Sequence, residues 1–358
     1  MAKKAKGKFK WNFNLFISDL AVDLGTANVL IFSEGKGVVV REPSVVALDK
    51  NTGKILQVGA DARNMLGRTP GNVVAMRPLK DGVISDHEMT VKMLQILFRR
   101  ATGDSLFNPK PRVVICVPSG VTEVEERSVI NAAIEAGARR VYLIEEPLAA
   151  ALGANLPIAD ADGHMVVDVG GGTTDVAVLS LNGVANSSSV EVAGDAFDEA
   201  IARYIRRKHG IVIGQVTAEN IKIEIGCVYP RPEDVCMNVK GRDAKTGLPR
   251  MLTVYSSEIF EVLRRPARQI ADEVLHVLEE TSPELVGDIA KNGITLTGGG
   301  CQIWGMDRML EERTGIACSI ADDPDSCVVY GCGKSLGWIN TMQEGPINLA
   351  RKRIMHRE

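Results

Sequence analysis

The sequence predicts an α/β protein built as two similar lobes, and three observations carry that prediction. The stretch DVGGGTTDVAVLSL, Asp168 to Leu181, reads as a buried strand, a glycine turn and a second strand. A similar element, DLGTAN at 23–28, lies 145 positions upstream, a whole-domain period. The 358 residues suit two domains of roughly 150 residues each.

The glycine turn also has a chemistry. Gly170, Gly171 and Gly172 carry no Cβ, so backbone N–H groups can converge on an oxyanion such as phosphate. Asp168 and Asp175 bracket the turn, and a carboxylate beside phosphate needs a divalent cation between them. A ligand-free glycine hairpin is the plainer reading of three glycines alone. The upstream element, with Asp23, Gly25 and Thr26 between two strands, favours two hairpins closing on one phosphate chain.

Composition sets outer bounds. Hydrophobic residues make up 45%, charged residues 24% and aromatics only 4%, with a net charge of -3, so no basic or stacking surface for nucleic acid is evident. The seven cysteines form no Cys-x-x-Cys pair and read as reduced cytosolic thiols. No run of 18 uncharged apolar residues suggests a membrane span.

Residues 1–18 are basic, and Phe9, Phe13, Phe16, Ile17 and Leu20 share one helical face. Such a helix suits an anionic membrane surface; Trp11 and Leu15 fall off the stripe, and a tail or a signal peptide is the alternative. From Leu20 to Asp49, short β-branched runs form an antiparallel meander. A loop-rich subdomain comes next, returning at Gly82, then a helix over Thr90 to Ala101. Leu106 and Phe107 sit in a short polar loop, either folded into the core or serving as a second membrane insertion point.

Arg112 to Val117 reads as a strand, Thr122 and Glu125 as a capping box opening a helix to Gly137, and Val141 to Ile144 as another strand. In EEPLAAALGA, Pro147 fits a first helical turn; Glu145 and Glu146 either simply suit the positive end of that helix or one of them aims at a nucleotide from the strand end. Asn182-Gly183 reads as a type I′ turn leading to a strand over Ser188 to Val192. Gly194-Asp195 opens a helix ending near Gly210, and Thr217 starts a short helix with Glu219 and Lys222 on one face, a surface ion pair on the plain reading. Strands near Val235–Val239 and Met251–Val254 precede a long helix from Ser257 to Glu280 and another at Ser282. Ile294 to Thr297 runs into GGGC and a helix from about Ile303; the final helix is expected over roughly Cys327 to Thr341, before a basic tail expected to be mobile.

Gly333-Lys334-Ser335 resembles the end of a P-loop, but Val328 stands where that motif needs glycine. Neither glycine cluster fits Gly-x-Gly-x-x-Gly, and the five histidines stand at no ligand spacing to an acid or cysteine.

Taken in order, DLGTAN, REPSVVALD, MLGRTPGN, MRPLKDGVI, IEEPLAAALGA, MVVDVGGGTTDVAVLSLNG, GDAFDEAI, TAENIKIEIG, PELVGDIAKNGITLTGGG and TGIACSIADDP resemble the actin and heat-shock-chaperone ATPase superfamily. Within it the chain is similar to the MreB family of bacterial rod-shape-determining actins, over about Asp19 to Leu336. The resemblance implies an actin-like ATPase fold: two ribonuclease-H-like α/β lobes, each with a smaller subdomain, and ATP with Mg²⁺ in the cleft. The boundaries expected are a membrane-binding segment 1–18, lobe one 19–160 with an insertion at about 45–80, lobe two 161–345 with an insertion at about 195–255, and a tail 346–358.

By that resemblance Thr26, Ala27 and Asn28 hold phosphates from lobe one and Gly170, Gly171 and Gly172 from lobe two, while Asp23 and Asp168 organise Mg²⁺. Glu146, with Thr173, positions or deprotonates the attacking water. Glu219, Asn220, Ile221 and Lys222 face ribose and base, and Gly298, Gly299 and Gly300, with Cys301 at the edge, form the adenosine side. Val29 replaces the family's Thr and should point away from phosphate; Asp175 replaces its Glu and is one methylene shorter beside the hydrolytic site.

The implied function is a slow ATPase switch in a filament that organises cell-wall growth and rod shape. It would sit on the inner face of the cell membrane with cell-wall elongation membrane proteins, and without nucleic acid. A sugar- or acetate-type kinase on the same core is the enzyme alternative. A chaperone is disfavoured because the segment after residue 345 is too short for a peptide-binding domain.

Overall fold

The structure, a computed structural model, describes residues 19–103 and 109–340. The membrane candidates Phe9, Trp11, Phe13, Phe16, Ile17, Leu106 and Phe107, and the basic tail, lie outside the described residues. No helix among the described residues is long and apolar enough to cross a membrane.

The first lobe opens with β1 (Leu20–Leu24), β2 (Asn28–Ser33) and β3 (Gly37–Pro43), an antiparallel meander. Next comes an inserted unit: β4 (Val46–Asp49), β5 (Ile55–Val58), α1 (Ala60–Met65) and β6 (Val73–Met76), whose strands form a three-stranded sheet, then a small hairpin of β7 (Leu79–Lys80) and β8 (Val83–Ile84). The chain returns through α2 (His87–Thr102), β9 (Arg112–Val117), α3 (Glu123–Glu135), β10 (Arg140–Glu145) and α4 (Glu146–Gly153). The capping box at α3 is formed: Glu125 N donates to Thr122 Oγ1 at 3.3 Å and Thr122 N donates to Glu125 Oε2 at 2.8 Å.

The second lobe repeats the plan. It runs β11 (His164–Val169), β12 (Thr174–Ser180), β13 (Gly183–Val190) and α5 (Gly194–His209). Its insertion comprises β14 (Ile211–Val212), α6 (Gln215–Ile225), β15 (Cys236–Asp243) and β16 (Pro249–Tyr255). Then come α7 (Ser256–Glu279), α8 (Pro283–Asn292), β17 (Ile294–Thr297), α9 (Met306–Thr314), β18 (Cys318–Ile320) and α10 (Cys327–Ser335).

The two large sheets, β10-β9-β1-β2-β3 and β18-β17-β11-β12-β13, have the same order and the same senses. In each, a central buried strand pairs antiparallel with its hairpin partner and parallel with a strand delivered by a helical crossover. The 145-residue sequence period is therefore a repeat of topology, with Asp23 and Asp168 on the two central strands.

Each lobe has its own apolar core, and a third cluster joins them through Ala21, Val114 and Tyr142 of one sheet, Val166 and Ala177 of the other, and helices α4 and α10 between. Although α10 follows the second lobe's sheet in the chain, it packs on α4, β1 and β2 of the first lobe. Small residues permit that contact: a Cβ at Gly331 would stand 1.8 Å from the Ala149 carbonyl oxygen. Lys334, the lysine of the P-loop look-alike, is on α10 and bonds Asn155 Oδ1 at 2.6 Å.

Three local readings are corrected. The hairpin turn after β12 is centred on Leu181 and Asn182, with φ of 52° and 58°, not on Asn182-Gly183. The N–H groups of Leu181 and Asn182 are tied to the carbonyls of Asp160 and Ile158, which moves the turn one residue earlier, and β13 then occupies Gly183–Val190. After β17 the glycines form a 3₁₀ turn, Gly299–Gln302, and the helix starts only at Met306. Helix α10 ends at Ser335 and continues as a 3₁₀ turn, Leu336–Trp338.

Candidate functional site

The two glycine hairpins meet face to face at a cleft of about 490 Å³, a size that suits a small-molecule ligand. The β1–β2 turn is pinned from below: Ser44 Oγ donates to the Gly25 carbonyl at 2.6 Å and Ser44 N to the Ala27 carbonyl at 2.9 Å. Thr26 Oγ1 accepts from Gly82 N at 2.9 Å. Opposite, the carbonyls of Gly170 and Gly171 accept from Gly194 N and Asp195 N at the start of α5, at 3.2 and 2.7 Å. The N–H groups of Gly171 and Gly172 have no protein acceptor among the described residues, the pattern of an anion nest.

Close approach explains the glycines. A Cβ on Gly171 would stand 2.7 Å from Ala27 Cβ, and one on Gly172 would stand 2.7 Å from Thr26 Oγ1 and 2.9 Å from Asp81 Cα. Any side chain there would force the hairpins apart.

Three carboxylates, Asp23, Asp168 and Glu146, line the floor, and a fourth, Asp175, is buried close enough to act on Glu146. Asp23 is on β1, Asp168 on β11, Asp175 on β12 and Glu146 at the first position of α4. Burial pushes the Asp23 and Asp168 carboxyls up to about 7. Burial raises Asp175 to about 6, opposed by the Ser119 N–H that Asp175 Oδ1 accepts at 2.8 Å. Glu146 is raised well above the ordinary range by burial and then by the charges of Asp175, Asp23 and Asp168. Thr297 Oγ1 donates to Asp168 Oδ1 at 2.9 Å, and the Cys116 thiol lies 3.5 Å from Asp23 Oδ1 and 3.8 Å from Glu146 Oε1. Crowded carboxyls that resist ionisation are what a divalent cation stabilises.

The remaining sequence-predicted residues divide. Thr26, Ala27, Asn28, Thr173, Glu219, Lys222, Gly298, Gly299 and Gly300 line the cleft. Asn220 is exposed away from it, and Ile221 and Cys301 are fully buried in the second lobe's core, so these three do not line it. The helical period explains the split on α6, since positions between 219 and 222 turn to other faces. Val29 is wholly buried in the first lobe's core. Glu219 and Lys222 do not pair with each other: Lys222 Nζ stands 3.0 Å from Asp198 Oδ1 as an ion pair and donates to the Gly194 carbonyl at 3.0 Å, and Glu219 Oε2 takes Arg63 at 2.6 Å.

Arg41, Arg77, Asp195, Asp198, Gln302 and Asp325 also line the cleft, and sequence reasoning assigned them no role. Asp195 and Asp198 stand three apart at the start of α5, a signal that one helix face carries both. Nothing local in the sequence marks Arg77, whose partner Asp195 is 118 residues away.

The family profile described as MreB/Mbl protein matches residues 17–344. The chain is 50% identical over 344 residues to the cell shape-determining protein MreB of Escherichia coli (strain K12), covering 95% of this chain and 97% of that one. It is 48% identical over 322 residues to the cell shape-determining protein Mbl of Bacillus subtilis (strain 168), with 90% and 96% covered. Its fold is similar to the crystal structure of MreB5 of Spiroplasma citri bound to AMPPNP, with a TM-score of 0.86, 40% identity, and 91% and 97% of the two chains covered.

Proposed function

This chain belongs to the MreB/Mbl family, and from that premise we propose that it is an ATP-dependent cytoskeletal protein that polymerises into actin-like filaments and determines cell shape. The observation that carries the reading is the opposition of two Asp-Gly-Thr hairpins, so close at Gly171 and Ala27 that no Cβ fits between them, over a floor lined by Asp23, Asp168 and Glu146. The relatives are named for cell shape, which favours a filament over a small-molecule kinase. The MreB5 chain that binds AMPPNP is 40% identical and supports a nucleotide in this cleft.

In this reading the free N–H edge of Gly171 and Gly172 and the turn at Thr26, Ala27 and Asn28 grip the phosphates from two sides. Asp23 and Asp168 fit a hydrated Mg²⁺, because two carboxyls raised to about 7 lose their burial penalty beside a cation. When bound, Mg²⁺ would neutralise charge on the phosphates. Glu146, seated where α4 begins, orients the attacking water with Thr173 and accepts its proton. Gly298 to Gly300, Glu219 and Lys222 form the adenosine side. Loss of the γ-phosphate removes a bridge between the hairpins and changes the angle of the lobes, which alters filament contacts. The filament would lie on the inner face of the cell membrane beside cell-wall elongation membrane proteins.

Sedimentation tests this. With ATP and Mg²⁺ the protein should pellet above a threshold concentration, and EDTA should return it to the supernatant. A chain that binds ATP and stays monomeric at every concentration refutes polymerisation.

A further inference from the structure

We propose that Arg63 and Arg77 form a two-point clasp across the mouth of the cleft that retains the nucleotide; this rests on the nucleotide reading above. Both arginines come from the first lobe's inserted unit, Arg63 on α1 and Arg77 just after β6. Both partners come from the second lobe. Arg63 Nη2 meets Glu219 Oε2 on α6, and Arg77 Nη1 meets Asp195 Oδ1 on α5, each at 2.6 Å.

These are not ordinary surface pairs. The side chains keep only 33% and 19% exposure in the first pair and 13% and 26% in the second, which reduces the screening that makes open surface pairs nearly worthless. They also join segments 156 and 118 residues apart in different lobes, so each bond restrains a rigid-body motion rather than a local one.

Charge gives the clasp its second role. Asp195, Asp198 and Glu219 face the cleft with Lys222 as their cation on α5 and α6, which leaves two negative charges over. An anionic nucleotide would meet that excess unless cations arrived from the other lobe; Arg63 and Arg77 neutralise Glu219 and Asp195, while Arg41, also of the first lobe, stands beside Asp325. The clasp is wired to the phosphate turn as well: Asp195, held by Arg77, donates its own N–H to the Gly171 carbonyl at 2.7 Å. Closing the mouth and setting the glycine turn are therefore one movement.

The test is a double-mutant cycle read by two methods. Arg77→Ala, Asp195→Ala and the double variant, and the same set for Arg63 and Glu219, are loaded with fluorescent ATP and chased in a stopped-flow instrument. Each Arg77 or Asp195 single variant should release nucleotide about 10-fold faster, as loss of a partly desolvated charged bond implies, and the double variant no faster than either single. In parallel, small-angle scattering of the nucleotide-free proteins in EDTA should show a larger radius of gyration in the variants. Unchanged release and unchanged radius overturn the clasp. So does slower release in Asp195→Ala against faster release in Arg77→Ala, since opposite signs mean that the arginine touches phosphate directly. If the wild type holds no nucleotide yet the variants still open, the nucleotide reading fails while the bridging of the lobes stands.

Discussion

At the scale of the residue, the site is governed by what burial does to carboxylates. Glu146 begins α4 directly after a strand, so its backbone is held by two regular elements and its side chain is delivered to one place. Glu146→Gln keeps the shape and removes the base: nucleotide affinity should stay within about threefold while phosphate release slows by about 100-fold or more. Normal turnover in that variant would remove Glu146 from the role. Asp23 and Asp168 make a second prediction. Their folded carboxyls titrate at about 7, above the ordinary aspartate value near 4, so the folded protein holds protons that the unfolded chain has released. Their contribution to stability is complete below about pH 4 and is lost as pH rises through 7. In EDTA the thermal midpoint should therefore fall between about pH 4 and 7 and level off above that, Asp168→Asn should flatten that fall, and Mg²⁺ with ATP should offset it. A midpoint in EDTA that is flat over this range refutes the assignment.

At the scale of the element, two hairpins do the work because one turn is all glycine and the other is built of Gly25, Thr26 and Ala27, so they can meet closely. Gly171→Val would drive a branched side chain into Ala27, 2.7 Å from the first added carbon. Calorimetry should show ATP binding weakened by more than about 10-fold, with the far-ultraviolet spectrum unchanged because both sheets lie behind the turn. Unaltered affinity would show that the hairpins do not share a ligand. The sequence made these elements legible because they are local: the strand over His164–Val169, the capping box at Thr122 and Glu125, and the turns at DLGT and GGGT each depend on residues within a few positions. It misplaced the hairpin turn at Leu181 because the deciding bonds, to Asp160 and Ile158, come from a loop more than twenty residues upstream.

At the scale of the whole molecule, the lobes are joined in two ways. Apolar packing of α4 and α10 joins them at the base, and charged contacts at Arg63, Arg77 and Arg41 join them nearer the cleft, where Arg41 reaches Ser326 and Asp325. A dry base with a polar mouth is the distribution that lets lobes hinge, since ion pairs exchange with water more readily than packed side chains do. The amphipathic reading of residues 1–18 makes a prediction at this scale too. The full chain should float with vesicles rich in anionic lipid, and a chain beginning at Asp19 should not. Equal binding by both would reject the segment as the anchor.

By itself the sequence determined the repeat, the two hairpins, the carboxylates at strand ends and the membership of the family. Each of these is written in residues close together or in a pattern that recurs at a domain's length. Only the tertiary structure decided that Glu219 turns to Arg63 instead of Lys222, that Ile221 and Cys301 belong to the core, and that α10 packs on the first lobe. Those outcomes depend on which faces meet when two separately folded lobes close, and no local pattern encodes the partner of a side chain more than a hundred residues away.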